Sequence, residues 1–177
     1  MKKLIVPAVF ILIIVIIYSV AFGWDRFECP KGGFSIKFPK EPVETEFPDP
    51  TDKLDDNLYL CSVTHKDCVY QVMYSKLKAK KRKDIDLNAF FQAGALGGVF
   101  RQGMGTVGFK RKEISLGSYP GVEINAHMQQ GGVNVKARAR YYFVDDKIYV
   151  IMAMGNKKDF SSWNAGRFLN SFKLLEE

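Results

Sequence analysis

Val122-Glu-Ile-Asn-Ala-His-Met-Gln-Gln130, then Gly131-Gly132, then Val133-Asn-Val-Lys-Ala-Arg-Ala-Arg-Tyr-Tyr-Phe-Val144 is the stretch that decides the fold. Apolar and polar residues alternate on both sides of the two glycines, and successive side chains of a strand point to opposite faces. Val133, Val135, Ala137, Ala139, Tyr141 and Phe143 therefore share one face, while Asn134, Lys136, Arg138, Arg140 and Tyr142 share the other. A Gly-Gly pair between such runs signals a hairpin, because glycine supplies the positive φ that a tight reversal needs. This hairpin sets Glu123 opposite Arg140 and His127 opposite Lys136.

Further strands are expected on either side. Lys110–Leu116 and Ile148–Met154 join the hairpin through Ser118-Tyr-Pro-Gly121 and Asp145-Asp146-Lys147, so the last three long strands form a sequential antiparallel meander. Upstream, Asn57–Thr64 and Cys68–Lys78 pair about His65-Lys66-Asp67, which puts Tyr59, Cys61 and Val63 on the side of Tyr70, Val72 and Tyr74. Gly32-Gly33 opens a short strand, Phe34–Phe38, stopped by Pro39. From Lys40 to Asp56, prolines at 42, 48 and 50 leave an acidic edge or loop. Asp84 or Asp86 can cap a helix over Leu87 to about Gln102, and Asn156 or Asp159 a second one through about Leu169. Ser171-Phe-Lys-Leu-Leu175 then closes the sheet.

The N-terminus is of another kind. Lys2 and Lys3 precede an uncharged run, Leu4 to Phe22. About 19 such residues at 1.5 Å rise cross a hydrocarbon core of roughly 30 Å. Residues 1–23 are expected to be a single-pass membrane anchor and residues 24–177 one domain. The positive N-terminus stays in the cytoplasm and the domain lies outside it, with Trp24 and Phe27 as interface aromatics. The alternative is a cleaved signal, with Ser19 and Ala21 as the small residues before a cut near Ala21 and the domain secreted.

The net charge of +7 falls to +5 without Lys2 and Lys3. Lys76 to Lys83 holds six basic residues of eight, and Glu41 to Asp56 holds seven acidic residues against Lys53. Outside the cytoplasm such a basic run fits an acidic protein or an anionic lipid surface, not nucleic acid. Cys29, Cys61 and Cys68 admit one disulfide and a leftover thiol. Cys61 pairs with Val72 in the hairpin above, so Cys68 lies four residues further along the ladder, roughly 13 Å away and out of bonding reach. A bridge from Cys29 to either remains open. Cys61-x3-His65-x2-Cys68 lacks a fourth ligand and fits no zinc spacing, so no metal and no cofactor are expected.

Two histidines, His65 and His127, and no Gly-x-Ser-x-Gly, Walker A or His-Glu-x-x-His pattern argue against an enzyme. Certain short motifs carry a family resemblance. They are Gly33-Phe-Ser-Ile-Lys-Phe-Pro39, Tyr119-Pro-Gly-Val-Glu123, Ala139-Arg-Tyr-Tyr142 with Lys147-Ile-Tyr149, and Arg167-Phe-Leu-Asn-Ser-Phe172. In these the stretch from about Phe27 to Leu175 resembles the PsbP-like family. The resemblance implies an α+β domain, an α/β/α sandwich whose central antiparallel sheet has helices on both faces. It also implies a non-enzymatic role in binding and stabilising protein assemblies, as in the lumenal extrinsic subunit of photosystem II and a Ran-binding import factor.

The expected function is thus a membrane-tethered binding or scaffolding domain that contacts another protein or an anionic surface. The alternative is a small-ligand or lipid-binding domain with a pocket between sheet and helices. The candidate partner-binding residues are Lys136, Arg138 and Arg140, aligned at i, i+2 and i+4 on one strand face, with His127 and Tyr142 beside them.

Overall fold

The computed structural model of the chain describes residues 23–48, 57–77, 105–130 and 132–175. The apolar run 4–22, the helix expected over Leu87 to Gln102 and most of the basic run at 76–83 lie outside the described residues. In chain order the strands are β1 (Asp25–Cys29), β2 (Phe34–Phe38), β3 (Val43–Phe47), β4 (Leu58–His65), β5 (Cys68–Lys76), β6 (Gly105–Leu116), β7 (Tyr119–Gln130), β8 (Val133–Val144) and β9 (Lys147–Asn156). Helix α1 (Ser162–Asn170) and a short β10 (Lys173–Leu174) follow. Seven strands form one antiparallel sheet in the order β3-β4-β5-β9-β8-β7-β6, and β1-β2-β10 form a second.

The hairpins are set by their turns. Lys66 and Asp67 take φ of 47° and 56°, the left-handed pair of a type I′ reversal, whose twist matches the strands it joins. That closes His65 against Cys68 and fixes Cys61 opposite Val72, as the alternation requires. Tyr59, Cys61, Val63, Tyr70, Val72 and Tyr74 are all buried on the shared face. β7, β8 and β9 form the expected sequential meander, with Glu123 opposite Arg140 and His127 opposite Lys136.

One expected turn moves. The reversal before β7 is Gly117-Ser118, with Gly117 at φ 60°, so Pro120 and Gly121 lie within the strand. Gly121 is there because the Tyr142 ring occupies the space of a side chain: a Cβ would come within 2.4 Å of Tyr142 Cδ1 and 2.6 Å of the Tyr141 carbonyl oxygen.

The core lies between the two sheets. Phe34, Ile36 and Phe38 from β2 and Phe168 and Leu169 from α1 are essentially inaccessible to solvent. Each such side chain contributes about 1.5–3 kcal/mol through burial. Phe34 meets Tyr74, Tyr149 and Phe172 at centroid distances of 5.5, 6.1 and 5.4 Å. On α1, Ala165, Phe168 and Leu169 fall at i, i+3 and i+4 and face this layer. The helix starts later than Asn156 or Asp159, because Ser161 caps it by accepting the Asn164 N–H at 3.1 Å.

Two further expectations are corrected. The described residues do not form a helix-rich α/β/α sandwich: they are mostly antiparallel strand, and one face of the large sheet carries a second small sheet and a single helix. The last strand does not join the large sheet but pairs with β2. Trp24 and Phe27, both half-buried, pack against the core layer: Trp24 stands edge-on to Tyr70 at 5.0 Å, and Phe27 to Phe38 at 5.9 Å. The opposite face of β7, β8 and β9 holds a second buried cluster, including Val122, Ile124, Met128, Ala139, Tyr141 and Met152. Among the described residues no helix is long and apolar enough to cross a membrane.

Candidate functional site

The register across β6, β7 and β8 lines up three rows on the face that also carries α1. They are Lys112, Glu123 and Arg140; Lys110, Asn125 and Arg138; and Gly108, His127 and Lys136. Neighbouring strands stand about 4.8 Å apart, so these side chains form one continuous patch. Lys110, Lys112 and His127 are exposed, and Lys136 is half-buried. No ion pair to Lys110, Lys112 or Lys136 forms among the described residues. Glu123 is the sole acid on this face of the three strands.

The five sequence-predicted residues do share one face, but they differ in what they present. Arg138 grips Glu123 with two bonds, Nε to Oε1 and Nη2 to Oε2, each 3.0 Å. Arg140 Nε donates to Glu123 Oε2 at 2.8 Å, Nη1 to the Leu169 carbonyl at 3.1 Å and Nη2 to Asn170 Oδ1 at 2.7 Å. Its guanidinium is thus spent on holding the end of α1 to the sheet. Tyr142 is buried, its ring stacked on Phe172 at 6.1 Å. His127 and Lys136 remain toward solvent.

Glu123 is only 5% exposed, so this is not the weak surface pair that alternation suggests. Burial alone would raise its carboxyl, but hydrogen bonds from Arg138, Arg140 and Asn125 hold it below the ordinary range. Lys110 and Lys112 were missed as members of this face. Their signal was the alternation of β6, legible only once its register against β7 is known.

A second cluster lies at the other edge of the sheet. Glu44 on β3 is the register partner of Cys61 on β4, and Cys29 at the end of β1 comes down on them from the small sheet. Sγ of Cys29 and Cys61 and a Glu44 carboxylate oxygen lie within 4.8 Å of one another. The Gly32 N–H donates to Cys29 Sγ at 3.4 Å, and Tyr74 Oη lies 3.4 Å from the same sulfur. A hydrogen bond from Cys61, against the effect of burial, lowers the Cys29 thiol to about 6. The Cys61 thiol is pushed up by that same hydrogen bond and by burial. All three cysteines are free and buried. Cys68 stands apart, its Sγ 3.7 Å from the Asp159 carbonyl, and burial raises its thiol. Cys61-x3-His65-x2-Cys68 is therefore not one site.

No family model matches the chain, and no curated protein matches it in sequence. Solved structures do. The solution structure of cyanobacterial PsbP, CyanoP, from Synechocystis sp. PCC 6803 superposes with a TM-score of 0.52 at 11% identity, over 86% of this chain and 93% of that one. A crystal structure from Bacteroides thetaiotaomicron VPI-5482 superposes with a TM-score of 0.51 at 13% identity, over 87% of this chain. This chain spans 49% of the Bacteroides protein. The fold is PsbP-like, and at these identities the likeness is one of fold alone.

Proposed function

We propose that the chain is a non-enzymatic binding domain, tethered outside the cytoplasm by residues 4–22, that engages an acidic protein through the face of β6, β7 and β8. The observation that carries this reading is the patch formed by Lys110 and Lys112 on β6 and Lys136 on β8, with His127 between them on β7, beside an acid already neutralised by two arginines. Such a surface steers an anionic partner and raises its association rate. A small ligand between the sheets is the poorer reading, since rings from β2, β5, β9 and residue 172 fill that layer at centroid distances near 5–6 Å.

The test is crosslinking and affinity capture from the native membrane with the tethered protein and its Lys110→Glu/Lys112→Glu/Lys136→Glu variant. Loss of the captured protein in a folded variant supports the reading, and unchanged capture sinks it. Arg138 and Arg140 are unsuited to this test because reversing them breaks the Glu123 cluster.

One observation favours a second reading, contact with the anionic membrane surface itself. Trp163 on α1 is 71% exposed, and Arg167 lies over both its ring and that of Trp24, at 5.6 and 5.3 Å. Trp24 follows the apolar run by two residues, so α1 stands where the tether meets the domain. Binding of residues 24–177 to vesicles with anionic lipid, lost in Trp163→Ala, distinguishes this from protein capture.

A further inference from the structure

We propose that Cys29, Glu44 and Cys61 bind a divalent cation of the zinc type through two thiolate sulfurs and one carboxylate oxygen. The donor atoms already lie within 4.8 Å of one another. In a tetrahedral site with metal–sulfur bonds of about 2.3 Å and metal–oxygen bonds of about 2.0–2.2 Å, ligand atoms stand roughly 3.5–3.8 Å apart. Closing the observed spread onto an ion takes about 1 Å of side-chain movement at most.

The ligands come from three strands and both sheets, so the ion would pin β1 to the edge of the large sheet. An inward-pointing glutamate on an edge strand has another use, since it deters pairing with a second sheet. That use does not require two thiols at the tip of the carboxylate. The surroundings also suit a metal: the Gly32 N–H and the Tyr74 hydroxyl reach Cys29 Sγ, the kind of outer contact that orients a ligating sulfur.

Donor chemistry selects the ion. Two sulfurs exclude calcium and magnesium, and a mixed sulfur–carboxylate set in tetrahedral arrangement is that of zinc. Glu44 is exposed and gives the ion a way in, and three protein ligands leave the fourth position to water. Binding displaces to solvent the thiol protons that the two sulfurs still hold, with no change of oxidation state.

The full-length protein, in detergent with reductant and stripped by a chelator, is titrated with Co2+ and then with Zn2+. One ion per chain is expected, with sulfur-to-cobalt charge-transfer absorption that Zn2+ abolishes. Glu44→Gln, at an exposed position that leaves folding alone, weakens Zn2+ binding by about tenfold or more. Cys29→Ser weakens the charge-transfer band, while His65→Gln and Cys68→Ser leave binding unchanged. A folded wild-type protein that takes up no cobalt overturns the proposal, as does equal binding by wild type and Glu44→Gln. A Cys29–Cys61 disulfide in protein isolated from its own membrane under thiol-blocking conditions also overturns it.

Discussion

Where the large sheet faces β2 and α1 its side chains are rings, and where the same face runs on to β6 they are cations. β8 crosses from one to the other. Asn134 is exposed, Lys136, Arg138 and Arg140 are half-buried, and Tyr142 and Val144 are buried. The ring half is held by contact with a second layer. At the seam the chain must place charge where a layer begins, and Glu123 makes that possible by receiving three N–H donors from two arginines. Alternation along a strand decides which residues share a face. The element that lands on that face decides which of them are surface.

The contrast can be broken from either side. Phe34→Ala, in the middle of the ring half, is expected to cost about 4 kcal/mol in urea unfolding. A loss under about 1 kcal/mol would mean that the second layer does not hold the sheet. At the seam, Glu123→Ala leaves two arginines unpaired against a helix end and is expected to cost about 3 kcal/mol. An effect as small as that of an exposed pair would move the seam into the open half.

Titration sharpens the same point. Glu123 has a carboxyl lowered on folding, so its contribution is complete above its ordinary value of 4.5 and is lost as the pH falls through the lower folded value. The urea midpoint should therefore drop on acidification below 4.5, and drop less in Glu123→Gln than in the wild type. Gly121→Ala, where a Cβ meets the Tyr141 carbonyl, is expected to cost about 1–3 kcal/mol by the same unfolding measurement. In the open half, Lys110→Glu and Lys112→Glu should each change stability by no more than about 0.5 kcal/mol. A larger loss would show that β6 is covered there.

The meander and the β4–β5 hairpin were legible because period-two alternation and turn residues agree over long runs. β1 was not: Asp25-Arg-Phe-Glu-Cys29 carries charge at three of its five positions and follows an uncharged apolar run, so no alternation marks it as a strand. β10 has two residues and pairs with a strand far upstream, so nothing local marks its partner. The start of α1 was misplaced because Asn156, Asp159 and Ser161 can all cap, and packing of Phe168 and Leu169 chooses among them. Of the candidate patch, the shared face of Lys136, Arg138 and Arg140 was readable. The spending of Arg140 on Leu169 and Asn170 was not, since it joins residues about thirty apart through a helix whose docking the strand cannot announce. For the thiols, sequence excluded Cys61 with Cys68 but could not choose a partner for Cys29, which arrives from the other sheet.

The placement of β2 bears on the order of events as the chain is made. Its two partners are β1, its immediate predecessor, and β10, the last strand, and the Lys37 N–H donates to Ser171 Oγ at 2.9 Å across 134 positions of sequence. Contacts of such span close slowly, because the loop between them must be ordered before they repay its entropy. The first strands to emerge are thus the last to be completed. Until residues 171–175 appear, Phe34, Ile36 and Phe38 have no finished layer to enter. The span of these contacts predicts that the middle hairpins assemble first and that both ends of the described chain lock together last.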